Sequence, residues 1–223
     1  MPEPLRAVLF DLDGTLVRTS IDFPAMRSAV HQVFLAKYPY IEEAHGNRET
    51  DTLALIPQLV GLLPETEREE TRRELLAVVV ERERTGCAYP EAIPGATELL
   101  QTLQAKGVGV GIVTRNARAI AESLCDRMNL PHDVLVARED TAAFKPDPEP
   151  VRLACTRLGV PPENAAMVGD LWVDIAAGHA AGCALTIGLQ WEHDPPNRFA
   201  KAKPTHIVTT FDKVSELLLQ AVS

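Results

Sequence analysis

Apolar and polar positions alternate along the 223-residue chain in two distinct rhythms. Over most of its length, short β-rich apolar runs take turns with stretches of helical period. The first such run opens the segment VLFDLDGTLV at residue 8, and others cover 108–113, 134–136, 165–168, 184–187 and 206–208. Between them, helical patterns run over 96–106, 117–128, 149–158 and 174–181, and Gly107, Gly159 and Gly182 stand where three of these should stop. Strands alternating with helices predict a doubly wound parallel sheet covered on both faces, with ligands beyond the carboxyl ends of the strands. Residues 23–89 break the rhythm. They carry no convincing strand and read as helices at 24–36, 49–60 and 65–84, with Met26, Val30, Val33 and Phe34 on one face. The expected organisation is an α/β domain made of 1–20 and 90–223, interrupted after its first strand by a small all-helical insert, 21–89. The acidic run 65–74 in that insert reads as a solvated helix face.

Charge narrows the partners. With 22 Lys and Arg against 31 Asp and Glu, the net charge is −9, which provides no basic surface for nucleic acid or anionic lipid. An anionic substrate must therefore be captured locally, with help from a cation. The four cysteines, Cys87, Cys125, Cys155 and Cys183, form no CxxC pair and read as reduced, buried side chains. No run approaches the roughly 18 apolar residues of a membrane span. A soluble, cytoplasmic protein is expected, and the sequence leaves monomer and homodimer both open.

The chemistry gathers at the predicted strand ends. Asp11 and Asp13 close the first run, and in an extended strand both would point to one side. Two anions so close raise each other's pKa unless a cation separates them. The segment MVGDLWVD repeats the arrangement with Gly169, Asp170 and Asp174. An all-oxygen carboxylate set without nearby His or Cys favours Mg2+ over zinc. In VGVGIVTRNAR, Thr114 offers a hydroxyl, and Arg115 and Asn116 lead into a helix start, a natural phosphate cradle. Lys145 stands in a proline-rich loop, AAFKPDPEP, stiffened by Pro146. His193, in QWEHDPPNR, reads as plain loop.

This ordered set, DLDGT, a Thr at the second strand, a Lys before a Pro and GDxxxD, resembles the haloacid dehalogenase superfamily. The helical insert is similar to the family's helical cap, and the pattern is closest to its phosphoglycolate phosphatases. The resemblance implies a Mg2+-dependent phosphatase acting on a small phosphomonoester. Asp11 would be the nucleophile, since its carboxylate can attack phosphorus to form an acyl phosphate. Asp13 would protonate the leaving oxygen and then activate water. Mg2+ would be held by Asp11, Asp170 and the main-chain carbonyl of Asp13. Thr114, Arg115, Asn116 and Lys145 would bind the phosphate. Gly14 lets the chain turn sharply, Thr15 is expected to bond across that turn, and Asp174 orients metal-bound water or Lys145, or caps the helix that follows.

Other readings use the same residues. A phosphoryl mutase would need only a cap that excludes water. Dehalogenation has no leaving oxygen to protonate and no use for Asp13. Phosphonate hydrolysis would want a cap lysine, for which Lys37 is the candidate. A non-enzymatic binding protein should have lost some of the carboxylates. Many capped relatives carry an acid where this chain has Arg18, which leaves Arg18 facing substrate or solvent. Within the insert, Arg48 in HGNRET is the cation expected to meet substrate.

Overall fold

A computed structural model describes residues 4–41 and 51–222. The chain divides into two compact units, residues 1–19 with 90–223, and residues 20–89.

The first unit is built on a six-stranded, all-parallel sheet. Its strands are β1 (Ala7–Phe10), β4 (Gly109–Val113), β5 (Val134–Val136), β6 (Ala165–Gly169), β7 (Leu185–Leu189) and β8 (His206–Val208). They lie in the order β5-β4-β1-β6-β7-β8, so the winding reverses between β1 and β6. Every residue of β1 is fully buried, which explains why its sequence is continuously apolar and not alternating. Alongside it, Phe10 is in register with Ile112 on one side and Val168 on the other.

Helices α6 (Glu149–Leu158) and α7 (Trp172–Ala181) pack side by side on the face formed by Ala7, Leu9, Val113 and Met167. On the opposite face α4 (Ala96–Ala105) meets α8 (Phe211–Ala221), and α5 (Arg118–Arg127) leads from β4 toward β5. Gly159 and Gly182 end α6 and α7 in the left-handed conformation, as the sequence suggested. A two-stranded antiparallel ladder, β2 (Val17–Arg18) with β3 (Glu91–Ala92), lies where the chain leaves and re-enters this unit.

The second unit packs α1 (Phe23–Lys37), α2 (Thr52–Gly61) and α3 (Glu65–Gly86) against one another. Asp22 caps α1 by accepting from Ala25 N, and Asp51 caps α2 by accepting from Leu53 N. Met26, Val30 and Phe34 are buried as expected, but Val33 is 39% exposed. The acidic run is solvated apart from Thr71, which is bonded to the Tyr38 hydroxyl at 2.7 Å. Lys37 Nζ pairs with Glu74 at 2.7 Å on the surface of this unit. Arg48 lies outside the described residues.

Among the described residues, no helix is long and apolar enough to cross a membrane. All four cysteines are free, and burial pushes the Cys125 and Cys183 thiols up to about 12, so they are inert at neutral pH.

Candidate active site

The site forms where the carboxyl ends of β1, β4 and β6 meet. Strand β1 stops at Phe10, directly before the acidic pair; Asp11 N still donates to Val168 O, and Asp13 leads into a tight turn at 14–16. That turn is held by Gly14 N donating to Val17 O and by Leu16 N and Val17 N donating to Leu12 O. Leu12 between the acids is fully buried and anchors the turn to the core. Gly14 has φ +82, and a Cβ there would lie 2.5 Å from Asp170 Oδ2. Only glycine lets the turn come this close to the β6 carboxylate.

The two aspartates take different partners. Asp11 faces Lys145, whose Nζ lies 2.6 Å from Asp11 Oδ1, 2.6 Å from Val113 O and 2.7 Å from Asp174 Oδ1. The lysine is 1% exposed, so its three donors are fully used inside the protein. Asp13 accepts from Thr19 Oγ1 at 2.8 Å and from Asn116 Nδ2.

Thr114 extends β4 and is buried, with its Oγ1 accepting from Asn116 N at 3.2 Å. The main-chain carbonyl of Arg115 accepts from Arg138 Nη1 at 3.2 Å, which fixes the start of the loop. Thr15 departs from expectation. Among the described residues its hydroxyl is buried without a partner, and the turn is closed by main-chain bonds instead.

At the end of β6, Asp170 and Asp174 do different work. Asp174 Oδ2 accepts from Leu171 N at 3.0 Å, capping α7, while its Oδ1 pairs with Lys145. Both expected roles, helix cap and lysine anchor, are thus filled by one side chain. Gly169 is required here because a Cβ would overlap the Asp174 carboxyl. Asp170 Oδ1, by contrast, is buried and has no hydrogen-bond partner among the described residues.

One oxygen each from Asp11, Asp170 and Asp174 lie within 4.8 Å of one another. Since Asp174 has committed both oxygens, Asp11 and Asp170 are the pair that fits a divalent cation, and an orphaned carboxylate oxygen is what such an ion would satisfy. Electrostatics agree. Burial pushes Asp11 well above the usual carboxylate range, Asp174 and Asp170 add to the rise, and Lys145 opposes it. Burial, then Asp174, push Asp170 up to about 7 against the pull of Arg198.

This sets a pH dependence for metal-free protein. A carboxyl raised to about 7 in the fold holds a proton that the unfolded chain releases near its ordinary value of 3.8. Between those values the folded state binds more protons, so stability falls as pH rises. In EDTA, Tm should drop by several degrees between pH 5 and 8, and saturating Mg2+ should remove most of that drop. A flat or rising Tm in EDTA would contradict this charge balance.

The structure also reveals residues that sequence reasoning passed over. The loop after β7, taken as plain loop around His193, carries Trp191, Asp194 and Arg198. Trp191 Nε1 donates to Gly14 O at 2.8 Å, and Arg18 lies over the Trp191 ring with its guanidinium 5.1 Å from the centroid. Arg198 donates to both the main-chain O and Oδ2 of Asp170. The available signal was position, since this loop leaves the carboxyl end of a sheet strand, where ligand sites occur.

Residues 5–182 match the family model for haloacid dehalogenase-like hydrolases. The chain belongs to this family. It is 34% identical over 187 residues to an N-acetylmuramic acid 6-phosphate phosphatase of Pseudomonas aeruginosa, covering 80% of this chain and 79% of that one. Identity to a phosphoglycolate phosphatase of Cupriavidus necator is 30% over 225 residues, covering 98% and 95%. The fold is shared with CbbY from Rhodobacter sphaeroides in complex with xylulose-(1,5)bisphosphate, with a TM-score of 0.65, 21% identity, and coverage of 93% and 95%. The protein is thus a hydrolase of the haloacid dehalogenase family with phosphatases among its relatives.

Proposed function

We propose that the protein is a Mg2+-dependent phosphatase that hydrolyses a small phosphomonoester through an aspartyl-phosphate on Asp11. The observation that carries this reading is the division of one acidic pair between two environments. Asp11 is fixed by Lys145 inside the carboxylate cluster, whereas Asp13 is turned toward Thr19 and Asn116. Two carboxyl groups in unlike surroundings suit unlike roles, one attacking and one carrying a proton.

Asp11 attacks phosphorus through a carboxylate oxygen, and the bond to the leaving oxygen breaks as Asp13 delivers its proton there. Asp13, now ionised, takes a proton from water, which attacks the acyl phosphate, releases inorganic phosphate and restores Asp11. A carboxylate and a phosphate charge 4 Å apart repel by about 4 kcal/mol at an effective dielectric near 20, so approach requires positive charge. Lys145 supplies part of it while holding Asp11 in line, and the Thr114 hydroxyl and the Arg115 amide receive phosphoryl oxygens, while Asn116 braces both Thr114 and Asp13. Bound at Asp11, Asp170 and the Asp13 carbonyl, Mg2+ would offset the remaining negative charge. Thr19, absent from the sequence reading, keeps Asp13 oriented between its two proton transfers.

Residues 20–89 are read as the helical cap, and substrate choice is assigned to it because the phosphate-handling motifs all belong to the other unit. Arg48 is the proposed cationic contact, which suits an anionic metabolite of the phosphoglycolate kind. The relatives differ in their named substrates, one N-acetylmuramic acid 6-phosphate and the other phosphoglycolate.

Purified protein with Mg2+ should release phosphate from members of a panel of phosphorylated metabolites, and EDTA should stop it. Acid quenching during turnover of 32P-labelled substrate should leave label on the protein that hydroxylamine removes. Turnover surviving chelation, or phosphate release without labelled protein, would overturn the reading. Transfer of label to a second sugar position in place of release would make it a mutase.

A further inference from the structure

Two carboxylates at the site each have one oxygen taken by a cationic side chain. Lys145 holds Asp11 Oδ1, and Arg198 holds Asp170 Oδ2. We propose that Arg198 is a positioning residue that makes Asp170 a one-oxygen ligand and so biases the acidic site toward Mg2+ over Ca2+. The proposal rests on the reading that Asp11 and Asp170 hold the divalent ion.

The guanidinium is braced from behind. Arg198 Nη1 lies 2.5 Å from Asp194 Oδ1, and Asp194 Oδ2 accepts from Trp191 N at 2.8 Å. Trp191 is itself tied to the nucleophile's turn through Gly14 O. Arg198 contacts Asp170 at two points, the main-chain oxygen through Nε and Oδ2 through Nη2, which fixes the carboxylate in rotation. Only Oδ1 remains, and it is buried and unpartnered among the described residues.

Ca2+ accepts six to eight oxygens at longer distances and readily takes a carboxylate through both oxygens. Mg2+ is smaller, near-octahedral, and satisfied by single oxygens from one or two carboxylates. A carboxylate locked with one oxygen facing inward therefore gives Mg2+ what it needs and denies Ca2+ a second contact. Side chains that orient metal ligands from behind typically change affinity by 10- to 100-fold when removed.

The test reads binding, not turnover. Mn2+ bound to the purified protein is followed by the EPR signal of the free ion, with Mg2+ and Ca2+ as competitors, in the parent, Arg198→Met and Arg198→Lys. Both competitors carry the same charge, so simple loss of guanidinium repulsion cancels in their ratio. Arg198→Met should shift the ratio of Mg2+ to Ca2+ affinity about tenfold toward Ca2+. Arg198→Lys, which can still reach Oδ2 but loses the second point of the clamp, should shift the ratio in the same direction by a smaller factor. Should the methionine variant fold poorly, Asp194→Asn loosens the same clamp and should shift the ratio in the same direction by a smaller factor. An unchanged ratio in a folded Arg198→Met protein overturns the assignment and leaves the metal reading intact. No divalent binding by the parent overturns both.

Discussion

Asp11→Asn is expected to retain the fold and lose turnover to below about a thousandth of the parent rate. The amide matches the carboxylate in shape and can still accept from Lys145, but it cannot form the acyl phosphate. Stability should move the other way. Asp11 is buried beside Asp170 and Asp174, and its raised pKa shows that ionising it there is unfavourable. Removing that charge should leave Tm in EDTA equal to or above the parent's. Such a protein would be more stable and inactive, as expected where strain is kept for function. Substantial residual activity from pure protein would rule out covalent catalysis through this residue. A clear fall in Tm would show that the cluster's charges are balanced without the metal.

Much of this site was legible in the sequence for a simple reason. Strands buried on both faces are written as unbroken apolar runs, so the polar residue that ends each run marks the edge of the sheet. Asp11, Thr114 and Asp170 follow β1, β4 and β6 directly, and Lys145 is recognisable beside Pro146. What stayed hidden depends on contacts between distant loops. The Arg198 to Asp170 clamp joins two loops 28 residues apart, and neither loop's pattern depends on the other. The β2 and β3 strands have two residues each and no period to detect. Helix α8 is a different case. Phe211, Val214 and Leu218 stand at helical spacing and are buried, so the pattern was present but lay beyond the last strand read. Thr15 failed for a physical reason, since main-chain bonds close its turn and leave its hydroxyl nothing to bridge.

Lys145→Met should have the second large effect, and on stability its sign is opposite to that of Asp11→Asn. The ammonium is buried between Asp11, Asp174 and Val113 O, and it is the cation that lets these acids lie together. Desolvation pulls its pKa down, but Asp11 and Asp174 more than offset this, so it stays charged. Methionine fills similar space without the charge. Removing one partner of a buried ion pair typically costs about 3–5 kcal/mol, which for a domain of this size is a fall in Tm of the order of 10 °C in EDTA. Turnover should drop by at least about a hundredfold, because Asp11 loses its restraint and phosphate its neutralising partner. Mg2+ should recover part of the stability and little of the activity, since a cation at Asp11 and Asp170 replaces charge but not the bond to Asp174. Combining the two substitutions separates charge from packing. In the Asp11→Asn background the lysine serves one acid fewer, so Lys145→Met should cost less there than in the parent. Equal costs in both backgrounds would mean that Lys145 stabilises the fold through Asp174 and Val113 alone, and that Asp11 gains position from it but no charge balance.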